Sequence, residues 1–282
     1  MKYFLVLLAL AAMVVAGDDG QGSSVASPAQ PTEGTDAITV SLVNDWVLAE
    51  KALGLDIVKE GSLYALLGVD NILDIVQAYD PATGTPWGSL TLDPSNGSCF
   101  GIAWNDDTVD DAYYTNDWGV GSLFYTDDFG STWSTSANPA GILGRGMAFD
   151  GADYWQTDRD GGSVWRFRPG VGEESISVPE VSGTLSGVAV YPEGGNLGVI
   201  VAGYNDPSLH FYEWDGSTMT YLGNASYPVS GLASSFGLAY YEVDGSLYWS
   251  YLDTVGDYHL TKLEFDTTAL QQETWGAIKS TF

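Results

Sequence analysis

The chain has 282 residues, of which 45% are hydrophobic and 13% aromatic, and its 37 acidic residues against 9 basic ones give a formal net charge of −28. A surface with this charge repels nucleic acid and anionic lipid, so neither is an expected partner. The 35 glycines and the scarcity of helical periodicity argue against a helical protein and favour an all-β fold.

The N-terminus predicts export. Lys2 precedes an apolar run from Phe4 to Val15 that is too short to span a bilayer, and Ala16 ends a stretch of small residues that suits signal-peptide cleavage, so residues 1–16 are read as the signal. Residues 17–36 are rich in Gly, Ser and Pro without an apolar pattern, which predicts a flexible linker. We therefore expect a secreted or periplasmic protein that does not insert into the membrane.

The rest of the sequence is a repeat. Each copy opens with a glycine followed by apolar and small residues, and the openings are 47, 45, 41 and 50 residues apart. Each copy contains short alternating segments separated by Gly, Asp and Pro, which is typical of strands joined by tight turns. A period of this length with four strands per unit predicts a β-propeller. The opening glycines are Gly54, Gly101, Gly146, Gly187 and Gly237.

Five copies predict a single five-bladed propeller over residues 37–282, which we expect to be a monomer. Segment 37–50 is expected to pair with the last blade or cover its outer edge, because an open ring would expose sheet edges. Two alternatives stay open: the N-terminal strands could form an irregular sixth blade, and the segment near Trp275 also resembles a fourth strand of the last blade. The predicted blades span about 54–95, 101–138, 146–181, 187–230 and 237–282.

Two further positions keep the register of the repeat. An aspartate closes the second strand of every copy, and its carboxylate is expected to accept hydrogen bonds from the amides of its own turn. The second residue after the opening glycine is alanine in four copies, which would let the inner strands approach closely around the axis. Asp56 takes this position in the first copy and is the exception. The strand-closing aspartates are Asp70, Asp117, Asp158, Asp206 and Asp253.

One hairpin resembles a known motif. The run 126–133 (TDDFGSTW) is similar to the Asp-box of sialidase-type propellers, which joins the third and fourth strands of a blade away from the active site. The resemblance implies that Asp128 binds the turn amides and that Gly130 has a positive φ. It does not imply the activity, because sialidases use three arginines from separate blades and all the arginines here lie in the third copy. These are Arg145, Arg159, Arg166 and Arg168.

Units such as GMAFDGADYWQTDRDGGSVWRF also resemble the repeats of secreted bacterial propellers of the streptogramin-lyase-like and NHL type, over most of the repeat region. A lyase of that kind would need a histidine base and a metal site. The sequence offers His210 and His259, both in predicted third strands, where packing is the expected role. We therefore take the fold from this resemblance and leave the activity.

The candidate ligand-binding residues are Arg145, Trp104 and Phe149, because inner strands bring them towards the axial mouth where loops converge. The clustered arginines suggest a basic patch for an acidic ligand, with Arg145 nearest the axis. The competing interpretation is that carboxylates pair with Arg166 and Arg168, whose alternation places both on one strand face.

Calcium is the one cofactor that the sequence suggests, at Asp158 and Asp160, although the segment lacks the distal glutamate of an EF-hand and a plain turn is preferred. A glycoside hydrolase would need carboxylates about 5–9 Å apart at the channel mouth, for which Asp56 and Asp150 are the candidates. No phosphate loop, zinc spacing or Ser-His-Asp pattern is present. We expect a non-enzymatic scaffold that binds an extracellular protein or carbohydrate; the alternative is an extracellular carbohydrate-active hydrolase or lyase.

Overall fold

Alternating segments between Gly- and Asp-rich turns form twenty β-strands, which the computed structural model describes over residues 38–60, 62–105, 112–117 and 119–267. The strands form five four-stranded antiparallel sheets arranged as a β-propeller, which confirms the predicted fold. No α-helix occurs in these residues, so none of them forms a helix able to cross a membrane. The predicted signal peptide, the linker and the segment near Trp275 lie outside the described residues.

In the first four blades the chain runs from the axis outward. The first blade consists of β2 (Leu55–Glu60), β3 (Leu63–Asp70), β4 (Ile75–Tyr79) and β5 (Pro86–Thr91). The second consists of β6 (Cys99–Asn105), β7 (Ala112–Asp117), β8 (Ser122–Thr126) and β9 (Ser134–Ala137). The third consists of β10 (Gly144–Phe149), β11 (Tyr154–Asp158), β12 (Ser163–Arg168) and β13 (Gly172–Ser177). The fourth consists of β14 (Leu185–Glu193), β15 (Asn196–Gly203), β16 (Ser208–Trp214) and β17 (Met219–Ser226).

The fifth blade joins the two ends of the described chain. Its inner strands are β18 (Leu232–Tyr241), β19 (Ser246–Asp253) and β20 (Tyr258–Asp266), and its outermost strand is β1 (Thr39–Leu48), which pairs antiparallel with β20. The N-terminal strand therefore supplies the fourth strand of this blade. It does not begin a sixth blade, so the six-bladed alternative is wrong.

The five opening glycines lie side by side around the axis and form what we call the glycine ring. A Cβ atom built at Gly146 would lie 2.5 Å from the carbonyl oxygen of Ser186 and 2.7 Å from the Cα of Gly187. Cβ atoms at the other four positions would meet the backbone of the next blade in the same way. Interiors are close-packed and backbone atoms cannot yield locally, so only glycine fits here. The closest approach thus occurs at the glycines, two residues before the alanines that the sequence suggested.

Buried polar side chains on second strands join neighbouring blades at the glycine ring. The register of β6 against β7 shifts there, which removes backbone groups from the strand ladder. Asn116 replaces the lost partners: its Oδ1 accepts from the amides of Phe100 and Gly101 at 3.2 and 2.8 Å, and its Nδ2 donates to the carbonyl oxygen of Arg145 in the next blade. Since unpaired buried polar groups are costly, such side chains fix the blades to one another.

The strand-closing aspartates cap the turns that follow them. One carboxylate oxygen of Asp117 accepts from the amide of Val120 at 2.9 Å, and the other accepts from the amide of Ser98 in the loop that enters the blade, at 3.2 Å. Asp206 connects its turn to Ser182 in the same manner, at 2.7 Å. These corners anchor the inter-blade loops at the ends where the inner strands begin.

The hairpin between β8 and β9 has its own hydrogen-bonded turn. The carboxylate of Asp128 accepts from the amide of Thr132 at 2.8 Å and from its hydroxyl at 2.7 Å, and Gly130 has a φ of +80°. These bonds hold the Asp128 pKa below its ordinary value, the amide of Thr132 making the largest contribution. The turn lies on the periphery of the second blade and is remote from the axis.

Candidate functional site

The axis opens into a pocket of about 330 Å³ on the side where the five inner strands end. Its lining follows the repeat, since the second and third residues after the ring glycines supply most of it. In order of blade these lining residues are Asp56 and Ile57, Trp104, Ala148 and Phe149, Ala189 and Val190, and Ala239 and Tyr240. The site is therefore built by all five blades.

Small side chains make room for this pocket. The lining residues closest along the chain to the glycine ring are Ala148, Ala189 and Ala239, each at least 94% buried, because their exposures are 6%, 1% and 2%. Asp56 occupies the same position in the first blade. Three blades thus present alanine to the pocket, and the first breaks the pseudosymmetry with a carboxylate.

Aromatic side chains line the next level and are held in place by neighbours. The ring of Phe149 lies 4.9 Å from that of Tyr154, and the ring of Tyr240 lies 5.4 Å from that of Tyr191. Trp104 packs against the apolar cluster between the first two blades. Such packing fixes the rotamers before any ligand arrives, which lowers the entropic cost of binding.

An ion pair between the first and fifth blades forms one edge of the pocket. Lys59 Nζ lies 2.6 Å from Glu242 Oε1, and the hydroxyl of Tyr64 donates to the same oxygen at 3.2 Å. The hydrogen bond with Glu242, followed by that with Tyr64, raises the pKa of Lys59 to about 12, and Lys59 in turn lowers the pKa of Glu242. Lys59 also lies 5.5 Å from the centroid of the Tyr64 ring, a cation–π contact.

Asp56 and Asp150 both line this pocket, as does the pair Trp104 and Phe149. Asp56 Oδ2 accepts from the backbone amide of Trp104 at 2.5 Å, across the boundary between two blades. Asp150 caps its own turn, accepting from the amide of Asp153 at 2.7 Å, and its second oxygen accepts from the Trp155 indole at 2.8 Å. Both carboxylates therefore hold the architecture of the pocket as well as lining it.

Arg145 lies on the other side of the glycine ring, directly before Gly146, so it does not join Trp104 and Phe149 in one site. Arg145 is 6% exposed, and its guanidinium donates to the carbonyl oxygen of Gly144 at 3.0 Å and lies 4.9 Å from the centroid of Phe100. Burial, reinforced by the charge of Arg159, lowers its pKa to about 10. The predicted grouping of these three residues is corrected accordingly.

Large side chains fill the axis around Arg145. Phe100 and Phe236 belong to the second and fifth blades, which are not neighbours, yet their rings lie 6.4 Å apart and share an apolar cluster with Leu53. They can meet only at the axis. We call Leu53, Phe100, Arg145 and Phe236 the axial plug; each precedes a ring glycine.

The remaining arginines are paired with carboxylates. Asp153 binds Arg166 with one oxygen and Arg168 with the other, the latter at 3.1 Å, so both arginines share a strand face as the alternation predicted. Arg159 pairs with Asp160 at 3.2 Å. These contacts agree with ion pairing and oppose an open basic patch.

At the suggested calcium loop, Asp158 accepts from the amide of Gly161 at 2.9 Å and from the Trp165 indole at 3.3 Å. Asp160 instead faces Arg159. Within the described residues, no group of three or more His, Cys, Asp or Glu side chains is placed to hold a metal ion.

Each histidine is hydrogen-bonded within its own blade. His210 lies on β16 between Asp206, 3.1 Å from Nε2, and the hydroxyl of Tyr221, 3.3 Å from Nδ1. His259 lies on β20, where its Nδ1 is 3.1 Å from Asp45 of β1. Neither histidine is among the residues that line the axial pocket.

Several lining residues were not selected from the sequence: Tyr240, Tyr64, Lys59 and Glu242. Tyr240 occupies the same repeat position as Trp104 and Phe149, the third after a ring glycine, so the alignment that brought out those two residues also identifies it. The pairing of Lys59 with Glu242 joins positions 183 residues apart and has no local sequence signal.

No family model matches the sequence, and no curated protein matches it. Among solved structures, a PQQ-bound aldose sugar dehydrogenase from Streptomyces coelicolor has a TM-score of 0.56 at 15% identity, over 82% of this chain and 99% of its own. A glutaminyl cyclase from Myxococcus xanthus has a TM-score of 0.54 at 13% identity, over 80% and 96%. A streptogramin B lyase has a TM-score of 0.45 at 12% identity, over 81% and 98%. At these identities the likeness to the dehydrogenase and the cyclase establishes the propeller scaffold alone.

Proposed function

We propose that the protein is an exported propeller that binds a ligand in the axial pocket and does not transform it. The observation that carries this proposal is the pocket itself, in which prepacked aromatic side chains and carboxylates from all five blades converge on one void. Concave sites with aromatic walls and a few oriented polar groups are typical of ligand recognition. The ligand would come from an extracellular protein or a carbohydrate.

The hydrogen bonds of Asp56 and Asp150, the two candidate catalytic carboxylates, favour binding over hydrolysis. A glycosidase needs one carboxyl group that donates a proton and a second that attacks or activates water. Asp150 already accepts from two backbone amides and the Trp155 indole, and Asp56 accepts from the amide of Trp104. Groups engaged in this way are suited to holding the site rigid, which is what recognition requires.

A pocket-filling variant tests the proposal. Val190 lines the pocket and is half-buried, and the second blade carries tryptophan at the same repeat position, so Val190→Trp should fill the void without disrupting the strand. The purified protein is screened by thermal denaturation against sugars, amines and small organic acids. A ligand present at a hundred times its Kd stabilises the folded state by about 2.7 kcal/mol, which is readily measured.

We expect at least one class of compound to raise the Tm, and Val190→Trp to abolish that rise. Val171→Trp is the matched control, because Val171 is 75% exposed and lies outside the pocket. A rise that survives Val190→Trp would place the ligand elsewhere. Recovery of the ligand as a cleaved product would replace the proposal with the carbohydrate-active enzyme, and Asp150→Asn would then be the first catalytic variant to assay.

A further inference from the structure

We propose that the axial pocket takes a compact organic cation, an amine or quaternary ammonium group, and that Asp56 determines this specificity. The inference rests on the proposed function and names its ligand class. It starts from charge: three carboxylates line the pocket, those of Asp56, Asp150 and Glu242, and among the described residues Lys59 is the one base that lines it. The chain as a whole carries a formal charge of −28, which raises the local concentration of cations and repels anions.

The edge of the pocket already holds a cation by the chemistry that we propose. The ammonium group of Lys59 lies 2.6 Å from the carboxylate of Glu242 and 5.5 Å from the centre of the Tyr64 ring. A carboxylate and an aromatic face thus act together on one ammonium group. The interior of the pocket repeats this pairing of group types, with Asp56 and Asp150 beside Trp104 and Phe149.

The aromatic lining suits an organic cation. Trp104, Phe149 and Tyr240 stand at equivalent positions of three blades and therefore surround the axis from different directions. Aromatic faces attract ammonium groups through their quadrupoles, most strongly where water is excluded. Several rings around one void are how proteins enclose a quaternary ammonium group, and a volume of about 330 Å³ fits a compact head group.

Asp56 gives this enclosure its orientation. The equivalent residues of the other four blades are alanines, so a pseudosymmetric void contains one carboxylate at the level next to the glycine ring. Its bond to the amide of Trp104 fixes the carboxylate and a wall residue together. A neutral ligand would gain little from this single charge, whereas an ammonium group would gain an ion pair in a partly desolvated site.

The test compares choline with its uncharged isostere 3,3-dimethylbutan-1-ol, with butylamine and glucose alongside, by titration calorimetry on the purified protein. We expect choline or butylamine to bind, and the isostere to bind at least about 10-fold more weakly. Added salt should lower the affinity for the cations only. Asp56→Asn retains an acceptor for the Trp104 amide. It should lower the affinity for the cations by about 10-fold and leave the affinity for the isostere unchanged. Asp56→Ala introduces the residue of the other four blades and should act in the same direction.

The comparison of charged and neutral probes on the unaltered protein does not depend on any variant's folding. Equal affinity for choline and the isostere would overturn the proposal, as would absence of cation binding at millimolar concentration. Glucose binding that is lost in Val190→Trp, without cation binding, would overturn the cation and retain the axial binding site. If no probe shows binding that Val190→Trp removes, the result would count against both the cation proposal and the axial binding site.

Discussion

The two sides of the glycine ring are built on the same five strands, yet one is filled and the other is open. On the filled side, the residues directly before the ring glycines include Leu53, Phe100 and Phe236, which meet at the axis. On the open side, the second residue after the glycine is alanine in four blades, and a pocket of about 330 Å³ results. The backbone repeat decides where the axis lies, and side-chain volume decides which end of it can receive a ligand.

The largest expected effect comes from the ring that separates the two sides. Gly146→Ala places a Cβ atom 2.5 Å from the carbonyl oxygen of Ser186, and because that atom belongs to the backbone the strain cannot relax locally. We expect a loss of about 3 kcal/mol in the free energy of unfolding, measured by urea denaturation. Gly88→Ala is the control, since its Cβ would have no neighbour within 4 Å; wild-type stability for Gly146→Ala would contradict the ring.

Substitutions on the filled side should lower the stability of the protein without changing its affinity for a ligand. Phe236 is 4% exposed, so Phe236→Ala removes a buried ring and should reduce the free energy of unfolding by about 3 kcal/mol. Affinity for a pocket ligand, measured at a temperature where the variant is folded, should stay within about twofold. A large loss of affinity would mean that the plug supports the pocket across the ring.

Acid should weaken the filled side first, because its loops are anchored by aspartates. Burial raises the pKa of Asp206, but hydrogen bonds from His210 and Ser182 outweigh it, and the net pKa is below the ordinary value. The ionised form therefore stabilises the fold fully above the pKa of an unfolded aspartate, about 4, and this contribution is lost as the pH falls through the lower, folded pKa. Asp206→Asn should cost about 2 kcal/mol at neutral pH and flatten the acid decline of Tm.

Asp215→Asn is the control for that experiment, since Asp215 caps an exposed turn through the amides of Ser217 and Thr218. Its effect on Tm should be clearly smaller. An unchanged acid profile in Asp206→Asn would show that other carboxylates govern the decline.

The smallest effect is expected at Arg145. Arg145→Met preserves much of the side-chain volume but removes the contact with Phe100 and the bond to Gly144, so we expect a change of about 1 kcal/mol in the free energy of unfolding. Ligand affinity in the pocket should not change. A drop of about tenfold would restore the sequence-based hypothesis that Arg145 serves the ligand.

The repeat made the fold predictable, while the site was only half predictable. Glycine spacing and turn aspartates are local signals, and they identified five blades and the axis. The pocket residues selected from the sequence lie together because of their places in the repeat. Trp104 and Phe149 share one repeat position, Asp56 stands one residue before that position, and Asp150 stands one residue after it. The placement of Arg145 could not be predicted from the repeat. Arg145 stands directly before a ring glycine, and a step of three residues along the inner strand, to Ala148, crosses the glycine ring.

The way in which the ring closes affects how fast the protein folds. Asp45 of β1 and His259 of β20 are 214 residues apart in sequence, whereas the strands within a blade are joined by short turns. Blades can therefore form early from local contacts, but the fifth must wait for a long loop to close, and contacts of this range slow folding. A circular permutant with β1 fused after β20 and new termini in the loop between β5 and β6 would turn the slowest encounter into a hairpin, and should reach the same ring sooner.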